Sequence, residues 1–446
     1  MEMAADWGRA EGRSADGGMA RRARGCLGEV GGGGVDPKEI GLRLTLLQNR
    51  RGVLMKRRIL PARMLVLLFF GVSCVAQELP APRVVDLKAA DGTTLKATFF
   101  AAAKPGPGVL LLHQCNQQRK NWDELAGRLA GTGINVLTLD YRGYGESGGT
   151  SYKDLPQEEF ARILAEKWPG DVDTALKYLV AQPGVTRGIV GAGGASCGVN
   201  QSIQLARRHP EVKSLVLLSG NTDRGGREFL RKSEKLPMML SAADDDGAAV
   251  EVMQWLYELS GNAGSKFIHY TSGGHGTEMF AAHKELPGTI VDWYVQTLLK
   301  TPGSAPAVSG ASGKTRAPGI LEEIDSPGGA SAAAQKLAEA RRRDPKANLF
   351  SEAIVNVIGY EHLQSGDTKG AVEILKLNAV AYPNSPNVYD SLSDAYLANG
   401  QKDLTRENAK KALELLKSDT TDPEARRKLI QESAETKLKQ LGAGPQ

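Results

Sequence analysis

Between residues 84 and 299 short apolar runs alternate with amphipathic stretches, and a chain with that rhythm buries its apolar surface by laying helices across a sheet. Runs at 84–88, 95–100, 108–113, 135–139, 188–192, 214–218, 238–242 and 266–271 read as eight strands, enough for one domain. Stretches at 122–130, 171–180, 199–208, 250–259 and 290–299 carry the helical period between them. The first two strands are expected to form an antiparallel hairpin, because Asp91-Gly92 supplies the positive φ angles of a tight turn. The sequence thus predicts an α/β domain over residues 80–300, a sheet with crossover helices.

Residues 301–330 turn to Pro, Gly, Ser and Ala with little periodicity and read as a flexible linker, a boundary that few contacts should cross. Residues 331–446 read as an all-α module. Gly366 and Gly400 are 34 residues apart, and the same offset pairs Val355 with Tyr389, Ile358 with Leu392 and Gly359 with Ser393. That period resembles two tetratricopeptide repeats, the plainer alternative being a generic pair of helical hairpins. Two units are fewer than such stacks usually need, so flanking helices at 331–343 and 423–441 are expected to cover their ends.

At the other end, residues 1–54 are rich in Gly, Arg and Ala without hydrophobic period, and are expected to be disordered or non-native. From Met55 the chain runs through Lys56-Arg57-Arg58 to an apolar stretch and small residues ending at Ala76, which reads as a signal peptide over 55–76. A membrane anchor is the rival, but an apolar run of about 13 residues falls short of the ~20 that a spanning helix needs. Cleavage after Ala76 is favoured, with a lipoprotein-type cut at Cys74 as the other option, and the protein is expected to be exported to the periplasm or beyond. The formal charge of +5 resides here: residues 1–76 hold 13 Lys/Arg and 7 Asp/Glu, leaving 43 basic and 44 acidic residues. That balance offers no clustered cations for nucleic acid or an anionic membrane.

The chemistry concentrates in four places. Gly194-Ala195-Ser196-Cys197-Gly198 follows a strand and precedes a helix, so Ser196 is expected on a sharp turn, held clear of the sheet as a nucleophile. A serine hydroxyl needs a base, and that base needs an orienting acid. His275, in Gly273-Gly274-His275-Gly276 just past the last strand, is the one of six histidines placed to be that base. The acid should follow a strand between the two, where Asp244-Asp245-Asp246 stands; Asp246 and Asp245 are the candidates, with Asp223 outside them. Three adjacent carboxylates are one element of a metal site, but no His, Cys or further acidic spacing completes it, so no metal or cofactor is expected. An oxyanion hole would use the amide of Cys197 and either Gln114 or Cys115, in His113-Gln114-Cys115-Asn116.

Residues 84–300 resemble the α/β-hydrolase superfamily: His113-Gln114, the run Asp140-Tyr141-Arg142-Gly143-Tyr144-Gly145-Glu146-Ser147, the Ser196 turn and Gly274-His275-Gly276 fall in its order. The chain looks closest to the dienelactone-hydrolase-like and esterase branches, although dienelactone hydrolases proper use a cysteine where this chain has Ser196. The resemblance prefers Asp246 as the acid, treats Asp140 and Arg142 as structural, and implies a carboxylesterase-like serine hydrolase acting on an ester or lactone. Gln114 departs from the glycine usual at its place. A serine peptidase is the first rival. An inert hydrolase fold serving a repeat-based binding protein, with a protein partner on the repeats, is the second. Residues 220–236 leave no room for a large lid, and 152–168 is the better cover, with Trp168 on one wall. Cys115 and Cys197 would flank the oxyanion hole, close enough to form a disulfide in an oxidising compartment.

Overall fold

The computed structural model describes residues 79–303, 319–422 and 424–442; the expected extension, signal peptide and Cys74, and residues 304–318 of the expected linker, lie outside them. Eight strands run in chain order as β1 Arg83–Lys88, β2 Thr94–Phe100, β3 Gly106–Leu112, β4 Asn135–Leu139, β5 Val185–Ala195, β6 Val212–Leu218, β7 Met238–Ala243 and β8 Lys266–Tyr270. They form one sheet in the order β1-β2-β4-β3-β5-β6-β7-β8. The β1–β2 hairpin pairs Arg83 with Phe99 through to Lys88 with Thr94, and Gly92 takes a φ of 83° in its turn. β2 is antiparallel to β4, and every pairing from β4 through β8 is parallel.

The longer helices beside the sheet are α1 Asp123–Thr132, α2 Gln157–Glu166, α3 Trp168–Ala181, α4 Cys197–Arg208, α5 Arg224–Arg231, α6 Ala249–Leu259 and α7 Leu286–Tyr294. Side chains alternate along each strand, so one sequence run feeds two cores. Leu110, Leu112, Leu215 and Leu217 pack under α3, α4 and α6, while Val109, Leu111, Val216 and Leu218 pack under α1 and α7. The chain leaves β3 towards β4 on one side and returns to β5 on the other. That reversal makes the C-terminal ends of β3 and β5 the topological switch point, the place where open α/β sheets bind ligands.

Beyond the sheet lie α8 Ile320–Ile324, α9 Gly329–Arg343, α10 Glu352–Gln364, α11 Thr368–Ala381, α12 Pro386–Ala398, α13 Lys402–Leu416 and α14 Glu424–Gly442. α10 with α11, and α12 with α13, form hairpins that turn at Gly366 (φ 85°) and Gly400 (φ 76°). The linker expected over 301–330 does not extend through Ile320–Ile324. Ile320-Leu321-Glu322-Glu323-Ile324 coils into one amphipathic turn, and Leu321 and Ile324 join Leu236, Trp255 and Leu256 in one apolar core.

Contacts cross this boundary in number, contrary to the expectation from composition. Arg227, fully buried on α5, pairs with Glu361 of α10 and stacks its guanidinium 4.5 Å from the centre of the Trp255 ring. Arg231 reaches Glu322 at 2.6 Å and Asp325 at 3.1 Å. Glu251 of α6 accepts the backbone N–H of Ser351, at the start of α10, at 3.0 Å. The helical module therefore covers α5 and α6. Among the described residues no helix is long and apolar enough to cross a membrane.

Candidate active site

Ser196 stands between the end of β5 and the first residue of α4, with φ 51° and ψ −120°. A non-glycine residue held there carries strain of about 1–3 kcal/mol that its surroundings must overcome. They do so through backbone bonds: the Ser196 N–H donates to the Leu218 carbonyl at 2.9 Å, and its carbonyl accepts from the Val199 N–H at 2.9 Å. The flanking glycines are needed for close approach. A Cβ on Gly194 would collide with the Gly198 carbonyl, and one on Gly198 with the carbonyl of Leu112 at the end of β3.

The three carboxylates after β7 each take a different partner on the strand and loop that carry His275. Asp246 receives the His275 Nδ1 hydrogen with both oxygens 2.8 Å away, which puts the ring proton on Nδ1 and makes Nε2 the basic nitrogen. Asp245 accepts the backbone N–H groups of Gly273 and Gly274 at 3.0 Å, and these two amides hold its carboxyl below its ordinary range. Asp244 meets His269 Nε2 at 2.6 Å. Asp246 thus faces the imidazole, whereas Asp245 anchors the loop through two amides. Asp223 is elsewhere: it caps α5 through the Gly226 N–H at 2.8 Å and accepts from Gln204 at 2.9 Å. The His275 loop lies against the Ser196 turn, since a Cβ on Gly276 would come within 3.2 Å of the Ala195 side chain. Ser196 and His275 are both buried.

On the β3 side, His113 holds the loop that carries Gln114 and Cys115. Burial pushes its imidazole down to about 4, so the ring is neutral; Nδ1 donates to the Gln114 carbonyl at 2.7 Å and Nε2 accepts the Tyr141 N–H at 3.2 Å. The Gln117 N–H reaches the same Gln114 carbonyl at 3.0 Å. In a trans peptide the N–H points opposite the carbonyl, so the Cys115 amide is fixed facing away from the His113 ring. Cys197 opens α4, where N–H groups have no acceptor within the helix. A disulfide joins Cys115 to Cys197 with their Cα atoms 5.9 Å apart.

Gln114 contributes something its position in the motif did not reveal. Its side chain, fully buried, crosses to the His275 loop: Oε1 accepts from the Thr277 N–H at 2.8 Å and hydroxyl at 3.0 Å. Its Nε2 donates to Asn116 Oδ1 at 2.9 Å and to the His275 carbonyl at 3.4 Å. The only hint in the sequence is a large amide where the resembled family prefers glycine.

Asp140 and Arg142 serve the scaffold. Asp140 accepts the Arg119 N–H at 2.7 Å and pairs with its guanidinium, and Arg142 grips Asp171 at 2.6 Å and Asp91 at 2.7 Å. Trp168, expected on a wall of the site, is fully buried with its ring stacked 3.8 Å from Tyr141. A cavity of about 230 Å³ lies beside it, lined by Arg142, Tyr152, Phe160 and Ile163, and none of Ser196, Asp246 or His275 borders it.

The family model described as serine aminopeptidase, S33, matches residues 103–241. An uncharacterized protein of Mycobacterium tuberculosis is 31% identical over 150 residues, 33% of this chain and 49% of that protein. A thiohydrolase of Aspergillus aculeatus is 27% identical over 133 residues, 30% of this chain and 39% of that one. The chain thus spans half or less of the relatives it matches. An esterase of Pyrococcus furiosus is similar with a TM-score of 0.40 and 18% identity, over 49% of this chain and 93% of that chain.

Proposed function

We propose that this domain, a hydrolase of the α/β type, is a serine hydrolase that cleaves a carboxylic ester or lactone through an acyl-enzyme on Ser196. The observation that carries the reading is the Asp246–His275 pair on a loop packed against a strained serine turn. Ser196 Oγ attacks the carbonyl carbon while His275 Nε2 takes its proton, and Asp246 stabilises the imidazolium that forms. The amides of Cys197 and Cys115 donate to the developing oxyanion. Collapse expels the alcohol, which receives the proton from His275, and water then repeats the sequence to release the acid.

The absence of room for a lid between β6 and β7 favours small or extended substrates, because only α5 lies there and the helical module covers it. The family match favours a peptidase as second reading, since the same triad cleaves amides. Export is supported by the Cys115–Cys197 disulfide, a bond that persists in oxidising compartments. The two hairpins, with their 34-residue offset, support a tetratricopeptide-like module that takes a protein partner. Turnover of p-nitrophenyl butyrate by the wild type and not by Ser196→Ala tests the esterase reading. Preference for an aminoacyl p-nitroanilide over the ester would replace it with the peptidase, and an inactive wild type that resists fluorophosphonate labelling would leave a binding protein.

A further inference from the structure

Three of the four hydrogen bonds of one buried amide cross a sequence gap of more than 160 residues, and they join the two loops whose relative placement decides acyl transfer. We propose that Gln114 is a positioning residue of the reaction: its side-chain amide fixes the His275 loop against the oxyanion loop, so that His275 is set for Ser196. The inference rests on the serine-hydrolase reading and assigns Gln114 a task apart from donating to an oxyanion.

The bridge has a direction that only a carboxamide supplies. The carbonyl end faces two donors, the N–H and hydroxyl of Thr277, and the amino end faces two acceptors, Asn116 Oδ1 and the His275 carbonyl. Two donor hydrogens and two lone pairs are the whole capacity of the group, so it is fully used. It grips the loop at the backbone of His275 itself and again two residues on, on either side of Gly276, whose φ of 59° marks the bend. The next residue, Cys115, is bonded to Cys197 beside the nucleophile. Residues 114 and 115 therefore tie the third catalytic loop to the first two, one by a directed amide and the other by a covalent bond. An imidazole displaced by a fraction of an ångström loses rate without losing substrate affinity.

The test compares kcat, KM and pH–rate profiles of the full chain and its Gln114→Met and Gln114→Glu variants on p-nitrophenyl butyrate. Methionine keeps the volume and removes every bond; kcat is expected to fall about 10- to 100-fold with KM within about twofold. Glutamate places a second acceptor against the Asn116 and His275 oxygens when ionised, but once protonated it offers one donor and one acceptor. Its kcat relative to wild type is expected to rise at least about fivefold as pH falls from about 8 to 5.5, the range in which a buried carboxyl beside acceptors takes up its proton. A Gln114→Met kcat within twofold of an active wild type overturns the proposal, and so does a flat Gln114→Glu ratio. Should Gln114→Met not fold, the Gln114→Glu ratio decides alone. Absence of turnover and of fluorophosphonate labelling in the wild type would instead overturn the serine-hydrolase reading beneath it.

Discussion

Reducing the Cys115–Cys197 bond should cost both stability and rate, in amounts that can be worked from its place in the chain. The bond closes a loop with a sequence separation of 82, which on chain-entropy grounds confines the unfolded state by about 4.5 kcal/mol. With roughly 2–4 °C per kcal/mol for a domain of this size, the melting temperature should fall by about 9–18 °C. The rate should fall too, because the bond joins the two residues whose amides are read as oxyanion donors. Removing a donor outright costs about 10²- to 10³-fold, so loosening two that remain in place should cost about tenfold. Scanning calorimetry and p-nitrophenyl butyrate turnover, each with and without tris(2-carboxyethyl)phosphine, measure both; Cys115→Ala/Cys197→Ala should show the lower values and ignore the reductant. A melting temperature that moves by less than about 2 °C, with thiol titration showing full reduction, would refute the reasoning. So would two free thiols in denatured, unreduced protein cleaved after Ala76.

Ser196→Ala and His275→Ala should each lower turnover by about 10⁴-fold or more with the fold intact, as read by circular dichroism. Asp246→Asn should cost about 10⁴-fold in kcat, while Asp245→Asn, which keeps one oxygen for the Gly273 and Gly274 amides, should cost no more than about tenfold; equal losses would move the acid role. Arg227→Ala should destabilise by about 3–5 kcal/mol in urea unfolding, because it takes from the largely buried Glu361 its guanidinium partner, and ending the chain at Lys300 should yield insoluble protein by uncovering Trp255 and its neighbours. His362 is held above its ordinary 6.5 chiefly by its bond to Asp325, and further by Asp367. Its contribution is complete below about pH 6.5 and lost as pH rises through the raised folded value, so the melting temperature should drop over that window in the wild type and not in His362→Gln.

What could be read from the chain alone was local. The Ser196 turn, the triplet Asp244-Asp245-Asp246 and the glycine-flanked His275 announce themselves because a strand end, a helix start and a bend leave their marks on adjacent residues. The choice between Asp245 and Asp246 depends on which of two neighbouring side chains faces the imidazole and which faces two amides, and that follows from the pitch of the turn after β7. Gln114 was readable only as an anomaly, since its partners Thr277 and His275 stand far along the chain. The helical cover escaped for the same reason: Arg227 and Arg231 look like ordinary surface cations on α5 until Glu361, Glu322 and Asp325 arrive from the other module. Composition misjudged 319–330 because Pro and Gly mark breaks in the chain but do not say whether the short apolar turn between them finds a core.

The disulfide also governs which atom an electrophile meets. Cys197 sits at the N-terminus of α4, where a free thiol is acidified and becomes a strong nucleophile one residue from Ser196. Such a thiolate would compete for the same carbonyl and trap it as a thioester. Bonded to Cys115, the sulfur has no proton to lose and no lone thiolate to offer. Oxidised protein cleaved after Ala76 should therefore take up fluorophosphonate on the serine and ignore iodoacetamide, and a reductant should add thiol chemistry beside the serine.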